Sequence, residues 1–485
     1  MQLNKDGELK WFRLFGHFSL ISVLLIGTLS AESFKDFKRV QAEAFTEYKD
    51  KRDNGFHNYL KKQFREYKAQ VSPSLYAEPK PKNITPAHVA ELEKVGPRVN
   101  VKMKPIVEEE IKKAKIAIVS DKKPDISFDF FGSELGFFVE KSLRNAKFSP
   151  TNQEGISNFF NMAARSEYAT LVSALLNIKE SMRLNDWALY LLVRKLSQEL
   201  YENENEAKLF SWFMFNKLGY DVRVGIAQRE ITLMHLSEKN IYATPNYTFA
   251  NKKFYALSHY AKRKIGRLYS YEKSYPEATK ALDLRLSELP RFNSRVESKI
   301  LKFENDKKVF TTRYSYNKNL IDFMATYPQA DYETYFNAPV DAMSYVQIKR
   351  DIKKHIDGMK ASEALNFVLN FVQNAFVYEV DDKQFGREKV MFAQETLYFD
   401  KSDCEDRAVL FSYLVKELFG YSVIGVKYKD HMATALYIPL KGDTVKTDKK
   451  KYVIADPTYI NASVGQSMPK YKSIRPESFV KVNIN

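Results

Sequence analysis

Three side chains near the C-terminus have the chemical types and the spacing that nucleophilic catalysis requires: Cys404, His431 and Asp456. Cys404 is the only cysteine in the chain, and it follows Asp403, a residue type that caps helix N-termini. Apolar residues at helical spacing come next and Gly420 ends the pattern, so we expect a helix with the thiol in its first turn. Unpaired backbone N–H groups and the helix dipole stabilise a thiolate at that position.

The thiol also needs an imidazole, because Glu405 and Asp406 oppose the helix dipole. His431 begins one predicted strand and Asp456 ends another, and a polar turn near Gly442 separates them. A hairpin centred there would place the two side chains opposite each other, about 5 Å apart at Cβ. Taken singly, the histidine is typical of a solvated strand start and the aspartate of an Asp-Pro turn. Together with the cysteine they predict a Cys–His–Asp relay for attack on an acyl carbon.

This pattern resembles the core of transglutaminase-like proteins, which share the papain-like cysteine enzyme fold. The resemblance covers residues 345–459. It rests on Asp-Cys-Glu-Asp-Arg-Ala at 403–408, on the strand with His431, and on Ala-Asp-Pro-Thr-Tyr at 455–459. The family usually has glycine where this chain has Ser402.

The resemblance implies a role for each matching residue. Cys404 would be the nucleophile, His431 the base and acid, and Asp456 the carboxylate that orients the imidazole. The Cys404 amide would be one oxyanion donor. Gln373 and Gln384 are candidates for a second donor.

The chain also repeats part of itself. Between 204–222 and 405–423, eight residues are identical at a constant offset of 201. This predicts one helix-turn-strand unit present twice, although two amphipathic helices can agree by chance. At this offset Asn203 stands in the place of Cys404, so the first copy would have no thiol chemistry and would be a structural or recognition module.

The overall prediction is an α+β chain of several parts. We expect a signal peptide at 1–31, a charged aromatic helix at 32–70 and an extended proline-rich linker at 71–110. A degenerate transglutaminase-like domain with a β-rich extension would span 111–330. The catalytic domain, with a cysteine-bearing helix packed on an antiparallel sheet, would span 331–485.

Export is predicted from the N-terminus. Basic residues precede an apolar run at 18–31 that ends in small residues, as in a secretory signal peptide. The run is short for a membrane span, and an uncleaved anchor is the alternative. No cysteine lies near its end, so the protein would be periplasmic or secreted and not a lipoprotein, with no transmembrane span after signal removal.

Aromatic residues recur in pairs along the helical stretch 33–68. Successive pairs begin at Phe34, Phe45 and Phe56, at an 11-residue displacement close to three helical turns. Such a stripe packs within its own protein or contacts a partner or a membrane surface.

Composition narrows the function classes. The net charge is +16, but the sequence contains no dense basic run and no DNA-binding motif. We therefore expect no nucleic-acid partner. Scattered histidines, a single cysteine and the lack of a glycine-rich phosphate loop predict no metal and no cofactor. The substrate would be a protein or peptide. We expect a peptidase or amidase; the alternatives are a glutamine cross-linking enzyme and a non-catalytic envelope scaffold.

Overall fold

The computed structural model describes residues 31–88, 93–103, 123–259, 266–305 and 308–483. The chain mixes helices with antiparallel sheets, which confirms the predicted α+β class. The predicted signal peptide lies outside the described residues, except for its last position. In the part of the chain that is described, no helix has the length and apolar character needed to cross a bilayer. Contacts divide the chain into two units, 1–59 and 60–485, each of which is considered by itself.

Helices and strands alternate irregularly along the chain. The described helices, in chain order, are α1 (Ala31–Leu60), α2 (Lys141–Arg144), α3 (Gln153–Ala164), α4 (Ala169–Ser181), α5 (Asp186–Leu200), α6 (Glu204–Lys217), α7 (Lys318–Ala325), α8 (Tyr332–Phe336), α9 (Ala342–Ile356), α10 (Ala361–Asn374), α11 (Asp381–Gln384), α12 (Ala393–Tyr398) and α13 (Cys404–Phe419).

The strands are mostly short. In chain order they are β1 (Arg65–Lys68), β2 (Gln70–Val71), β3 (Ile126–Phe130), β4 (Ser133–Phe137), β5 (Val222–Ala227), β6 (Glu230–Leu236), β7 (Pro245–Phe249), β8 (Lys252–Tyr255), β9 (Arg267–Ser270), β10 (Val296–Asn305), β11 (Lys308–Asn317), β12 (Val377–Tyr378), β13 (Lys401–Ser402), β14 (Val423–Lys427), β15 (Met432–Leu436), β16 (Thr444–Thr447), β17 (Lys450–Ala455) and β18 (Ser478–Lys481).

The N-terminal helix is shorter than the sequence predicts. It ends at Leu60, and Arg65–Lys68 is a strand, so the expectation of one helix reaching residue 68 was wrong. The fourth aromatic pair, Phe64 and Tyr67, already departs from the 11-residue spacing. Pairing of this segment with β9 overrides its local helical pattern.

The first large sheet closes on itself. Its strand order is β1-β9-β5-β6-β8-β7-β2, and only Ala69 separates β1 from β2 in the chain. One continuous segment therefore pairs with both ends of the row of described strands, which closes the sheet into a barrel. Its interior is apolar, with Met234, Tyr247 and Phe254 in the buried cluster.

The second large sheet has the order β16-β17-β15-β14-β18 and is antiparallel throughout. Helix α13 directly precedes β14, as α6 directly precedes β5 of the first sheet. The buried face of α13 includes Leu410, Phe411 and Leu414, and Ile424, Ala433 and Ile454 belong to the apolar cluster of the sheet.

The two sheets share one topology. The order β7-β8-β6-β5-β9 in the first matches β16-β17-β15-β14-β18 in the second. In the central pair Val222 faces His235 and Val423 faces Leu436, so both partners are displaced by 201 residues, the offset of the sequence repeat. The outer hairpins also agree in register, since Phe249 faces Lys252 and Thr447 faces Lys450, both 198 residues on. The repeated unit therefore extends from the helix through the whole sheet.

Candidate active site

Cys404 lies where the sequence predicts, at the first residue of α13. The Asp406 carboxylate accepts a hydrogen bond from the Asp403 N–H at 3.2 Å, which fixes the entry into the helix. Gly420 ends the helix with φ of 68°, in the left-handed region that glycine adopts without strain. Local sequence alone therefore positions the sulfur at a helix N-terminus.

The imidazole and the carboxylate of the predicted relay are in contact. His431 Nε2 lies 2.8 Å from Asp456 Oδ2, and both side chains are buried. Because the carboxylate accepts, Nε2 carries the proton and Nδ1 is left with its lone pair. Nδ1 is buried and has no hydrogen-bond partner among the described residues, so it is the nitrogen that could accept a proton.

The contact does not use the register expected from the sequence. Thr434 faces Ala455, which would place Ala433 opposite position 456, so the expected direct opposition of His431 and Asp456 is off by two residues. The reason is an extra strand, because β16 forms the tight hairpin with β17 and lengthens the connection from β15. His431 precedes β15 and Asp456 follows β17, so their side chains meet diagonally beyond the paired region.

Asp456 is held on both oxygens. Its Oδ1 accepts from the backbone N–H groups of Thr458 at 3.0 Å and Tyr459 at 3.3 Å, while Oδ2 accepts from His431. This fixes the carboxylate and, through it, the tautomer and orientation of the ring.

Gln373 has no amide N–H group left to serve as an oxyanion donor, whereas Gln384 uses only one of its two N–H groups among the described residues. Gln373 Nε2 lies within 3.1 Å of the carbonyl oxygens of Asp456, Tyr459 and Ala462, so it holds the loop after the aspartate. Gln384 Nε2 donates to the Lys401 carbonyl oxygen. In this arrangement Gln373 is a positioning residue. The backbone N–H of Cys404, at the helix start, is a further group that could donate to an oxyanion.

Aromatic rings cover the imidazole. Tyr471 stacks on His431 with centroids 4.8 Å apart and 17° between the planes. Its hydroxyl donates to Asp430 at 3.0 Å. Burial, and next the charge of Asp430, raise the pKa of Tyr471.

The thiol itself is fully buried and protonated. Cys404 Sγ donates to Glu405 Oε2 at 3.1 Å, and the Tyr76 hydroxyl lies 3.7 Å from the sulfur. Burial, followed by the charges of Glu405 and Asp403, raises the pKa of Cys404 well above its ordinary value. The stabilisation expected from the helix dipole is outweighed here, in the direction that the two acidic neighbours predict.

A buried lysine sits beside the thiol. Lys80 Nζ contacts the carboxylates of Asp381 at 3.0 Å, Glu388 at 2.8 Å, Glu405 at 2.8 Å and Asp403 at 2.5 Å. Burial alone would lower the pKa of Lys80, but the carboxylates, Asp403 first, raise it well above its ordinary value. The ammonium therefore stays charged.

The carboxylates around Lys80 are also the groups that could hold a metal ion. Ligand atoms of Asp381, Glu388 and Glu405 lie within 4.8 Å of one another. The lysine ammonium contacts all three carboxylates, so it already supplies the positive charge that a cation would bring.

Tyr76 and Lys80 were missed from the sequence. They lie more than 300 residues from Cys404, in the stretch 71–110 expected to be a linker. A tyrosine and a leucine within a proline-rich segment, Leu75-Tyr76, were the only hint of burial, and both are buried.

At the positions equivalent to Cys404, His431 and Asp456, the first copy has other residue types. Asn203 caps α6 by accepting from the N–H groups of Asn205 and Glu206. At the offset of 201, Glu230 takes the place of His431, and at 198 Ser258 takes that of Asp456.

No protein-family model matches the chain, and no curated protein or solved structure matches it either.

Proposed function

We propose that this protein is an exported, transglutaminase-like cysteine enzyme that transfers acyl groups through Cys404 and hydrolyses peptide or isopeptide bonds. The observation that carries the proposal is the 2.8 Å bond from His431 Nε2 to Asp456, which leaves Nδ1 unpartnered. It supports a base held in one tautomer, with an unpartnered nitrogen that could take the proton of the chain's only thiol. The basic and apolar N-terminal pattern supports export.

Each step assigns the protons to named atoms. His431 Nδ1 takes the thiol proton as the sulfur attacks the acyl carbon, and the backbone N–H of Cys404 donates to the carbonyl oxygen as it gains charge. The imidazolium then gives its proton to the departing amine nitrogen, which leaves a thioester on Cys404. Water loses a proton to His431, attacks the thioester, releases the acid and restores the thiol.

The imidazole is essential because of the acidic surroundings. Glu405 and Asp403 raise the pKa of Cys404, so a free thiolate is strongly disfavoured in this environment. An imidazolium formed at the same moment would balance the new negative charge, and Asp456 would stabilise it. Proton transfer and attack on the acyl carbon would therefore be concerted in this site.

A non-catalytic scaffold is the competing function. The complete burial of Cys404 and its raised pKa favour it, since neither is typical of a ready nucleophile. Cross-linking of glutamine to an amine is the same chemistry with a different acceptor, and it would share the acyl intermediate.

Acyl trapping distinguishes the enzyme from the scaffold. The full chain is incubated with p-nitrophenyl acetate, quenched in acid, and Cys404 is examined by peptide mass spectrometry. We expect an acetyl thioester on Cys404 that decays on dilution, no adduct at this position in Cys404→Ala, and slower acetylation in His431→Gln. A folded chain whose thiol is never acetylated, with Lys80 either present or replaced by Met, while the urea-unfolded chain is acetylated, would support the scaffold.

A further inference from the structure

Residues 72–88, here called the strap, cross the candidate site. The N–H groups of Ala77 and Glu78 donate to the Lys429 carbonyl oxygen at 3.0 and 3.1 Å, two residues before His431. The N–H of Ala87 donates to the Ile460 carbonyl oxygen at 2.8 Å, four residues after Asp456. The strap is thus tied to the loops on both sides of the His–Asp pair.

A fourth bond holds the middle of the strap. The Tyr378 hydroxyl donates to the Pro81 carbonyl oxygen at 2.6 Å. The segment contains no helix or strand, and it is packed on the C-terminal half of the chain.

Tyr76 of the strap blocks the sulfur. Its hydroxyl donates to Glu405 at 3.0 Å and lies 3.7 Å from Cys404 Sγ. A reacting acyl carbon must come within about 3–3.5 Å of the sulfur. The space next to the sulfur that a substrate would enter is therefore occupied, which explains why the thiol is fully buried.

The Lys80 side chain also anchors the strap. Its ammonium contacts four carboxylates, and three of them, Asp381, Asp403 and Glu405, are almost fully buried. Carboxylates clustered in this way repel one another unless a cation lies among them. Whatever replaces Lys80 must bring a positive charge or admit water.

We propose that the strap is an intramolecular inhibitor that occupies the substrate groove. The carboxylate pocket filled by Lys80 then accepts a lysine or arginine of a polypeptide substrate once the strap leaves. The proposal rests on the proposed function, because it identifies the groove with the acyl-transfer site. It goes further by taking the bound strap as a model for the substrate. The substrate would be a peptide with a cationic side chain beside the scissile region.

The test compares two lysines of the same strap. Lys80→Met removes the anchoring charge, whereas Lys82→Met changes an exposed lysine and is the matched control. The rate of Cys404 alkylation by iodoacetamide is measured in the full chain. We expect Lys80→Met to react roughly tenfold to 100-fold faster than the unmodified chain, and Lys82→Met to react at the unmodified rate. Equal slow rates in a folded Lys80→Met chain would overturn the proposal.

Urea dependence keeps the test valid if Lys80→Met fails to fold. In the unmodified chain, release of the strap exposes little surface, so alkylation should depend only weakly on urea well below the unfolding transition. A rate that follows global unfolding at all urea concentrations would mean that the strap never opens by itself, and would refute its role as an inhibitor.

A peptide added in trans tests the pocket. A synthetic peptide spanning residues 72–88 should slow alkylation of the Lys80→Met chain, and the same peptide with Lys80→Glu should not. Equal effects of the two peptides would contradict a cation-accepting pocket. If the thiol is exposed in the Lys80→Met chain but its acetylation does not depend on His431, the inhibitory role of the strap would stand. The proposed enzyme activity would then be refuted.

Discussion

His235, on strand β6 of the barrel, is a histidine whose effect on stability can be worked out from its surroundings. It is 1% exposed, and neither ring nitrogen has a hydrogen-bond partner in the described structure. Tyr190 and Phe215 meet it edge-on, with centroids 5.1 and 5.0 Å away. Burial, and next the charge of Arg194, lower the pKa of His235 from 6.5 to about 3. It is a core residue and not a second catalytic base.

The sign of the pH dependence follows from this pKa. Between pH 6.5 and about 3 the unfolded chain binds a proton at His235 and the folded chain does not, so folding becomes less stable as the pH falls. Between pH 7 and 4.5 the linkage relation gives a loss of about 2.5 kcal/mol from this one residue.

The substitution is His235→Leu, which places an apolar side chain of similar size in the core and removes the titrating imidazole. The free energy of unfolding is measured in urea at pH 7 and at pH 4.5, with fluorescence that includes Trp187 and Trp212 of the helices beside the barrel. We expect the stability lost between the two pH values to be smaller by about 2.5 kcal/mol in the variant. Leu233→Ala is the control, since a cavity should lower stability by about 2–5 kcal/mol at both pH values alike. An unchanged pH difference in His235→Leu would refute the buried, neutral histidine.

Four further substitutions test the supports of the site. Gln373→Met should remove the glutamine donor from three carbonyl oxygens and lower the free energy of unfolding by about 1–3 kcal/mol. Gln384→Met, at a single long bond, should change it by less than about 1 kcal/mol in the same urea titrations. Gly425→Ala should lower stability by about 1–3 kcal/mol, because a Cβ there would lie 2.9 Å from the Phe336 ring; thermal unfolding followed by circular dichroism measures this. Asp456→Asn should slow acetylation of Cys404 by about 10²- to 10⁴-fold, measured as a mass-spectrometric time course, with a folded chain that reacts at the unmodified rate as the contradicting result.

The parts of the site that local sequence determines were predictable. Asp403 and Gly420 mark the two ends of α13, so the position of Cys404 followed directly. The proximity of His431 and Asp456 followed from two neighbouring strands. Their register could not be predicted, because nothing in the polar stretch before β17 indicates that it forms a strand of its own.

The covering of the site could not be predicted from local pattern. Lys80 reads as an ordinary charged residue in a proline-rich stretch, and its burial depends on carboxylates 301 to 325 residues away. Likewise the end of α1 at Leu60 depends on pairing with β9, about 200 residues later. The sequence repeat predicted the shared helix, and the shared sheet topology extends that likeness to strands without recognisable identity. The transglutaminase-like resemblance stays a prediction.

The pH profile of thiol alkylation tests the central claim most directly. The rate of Cys404 with iodoacetamide at pH 6, divided by that at pH 9, is compared between the unmodified chain and His431→Gln. The strap must open before the thiol reacts at either pH, so its opening affects both rates of each chain and largely cancels in the ratio. A thiolate formed by proton transfer to His431 predicts a ratio that falls by about tenfold or more in the variant. Equal ratios in two folded chains would contradict the Cys404–His431–Asp456 relay.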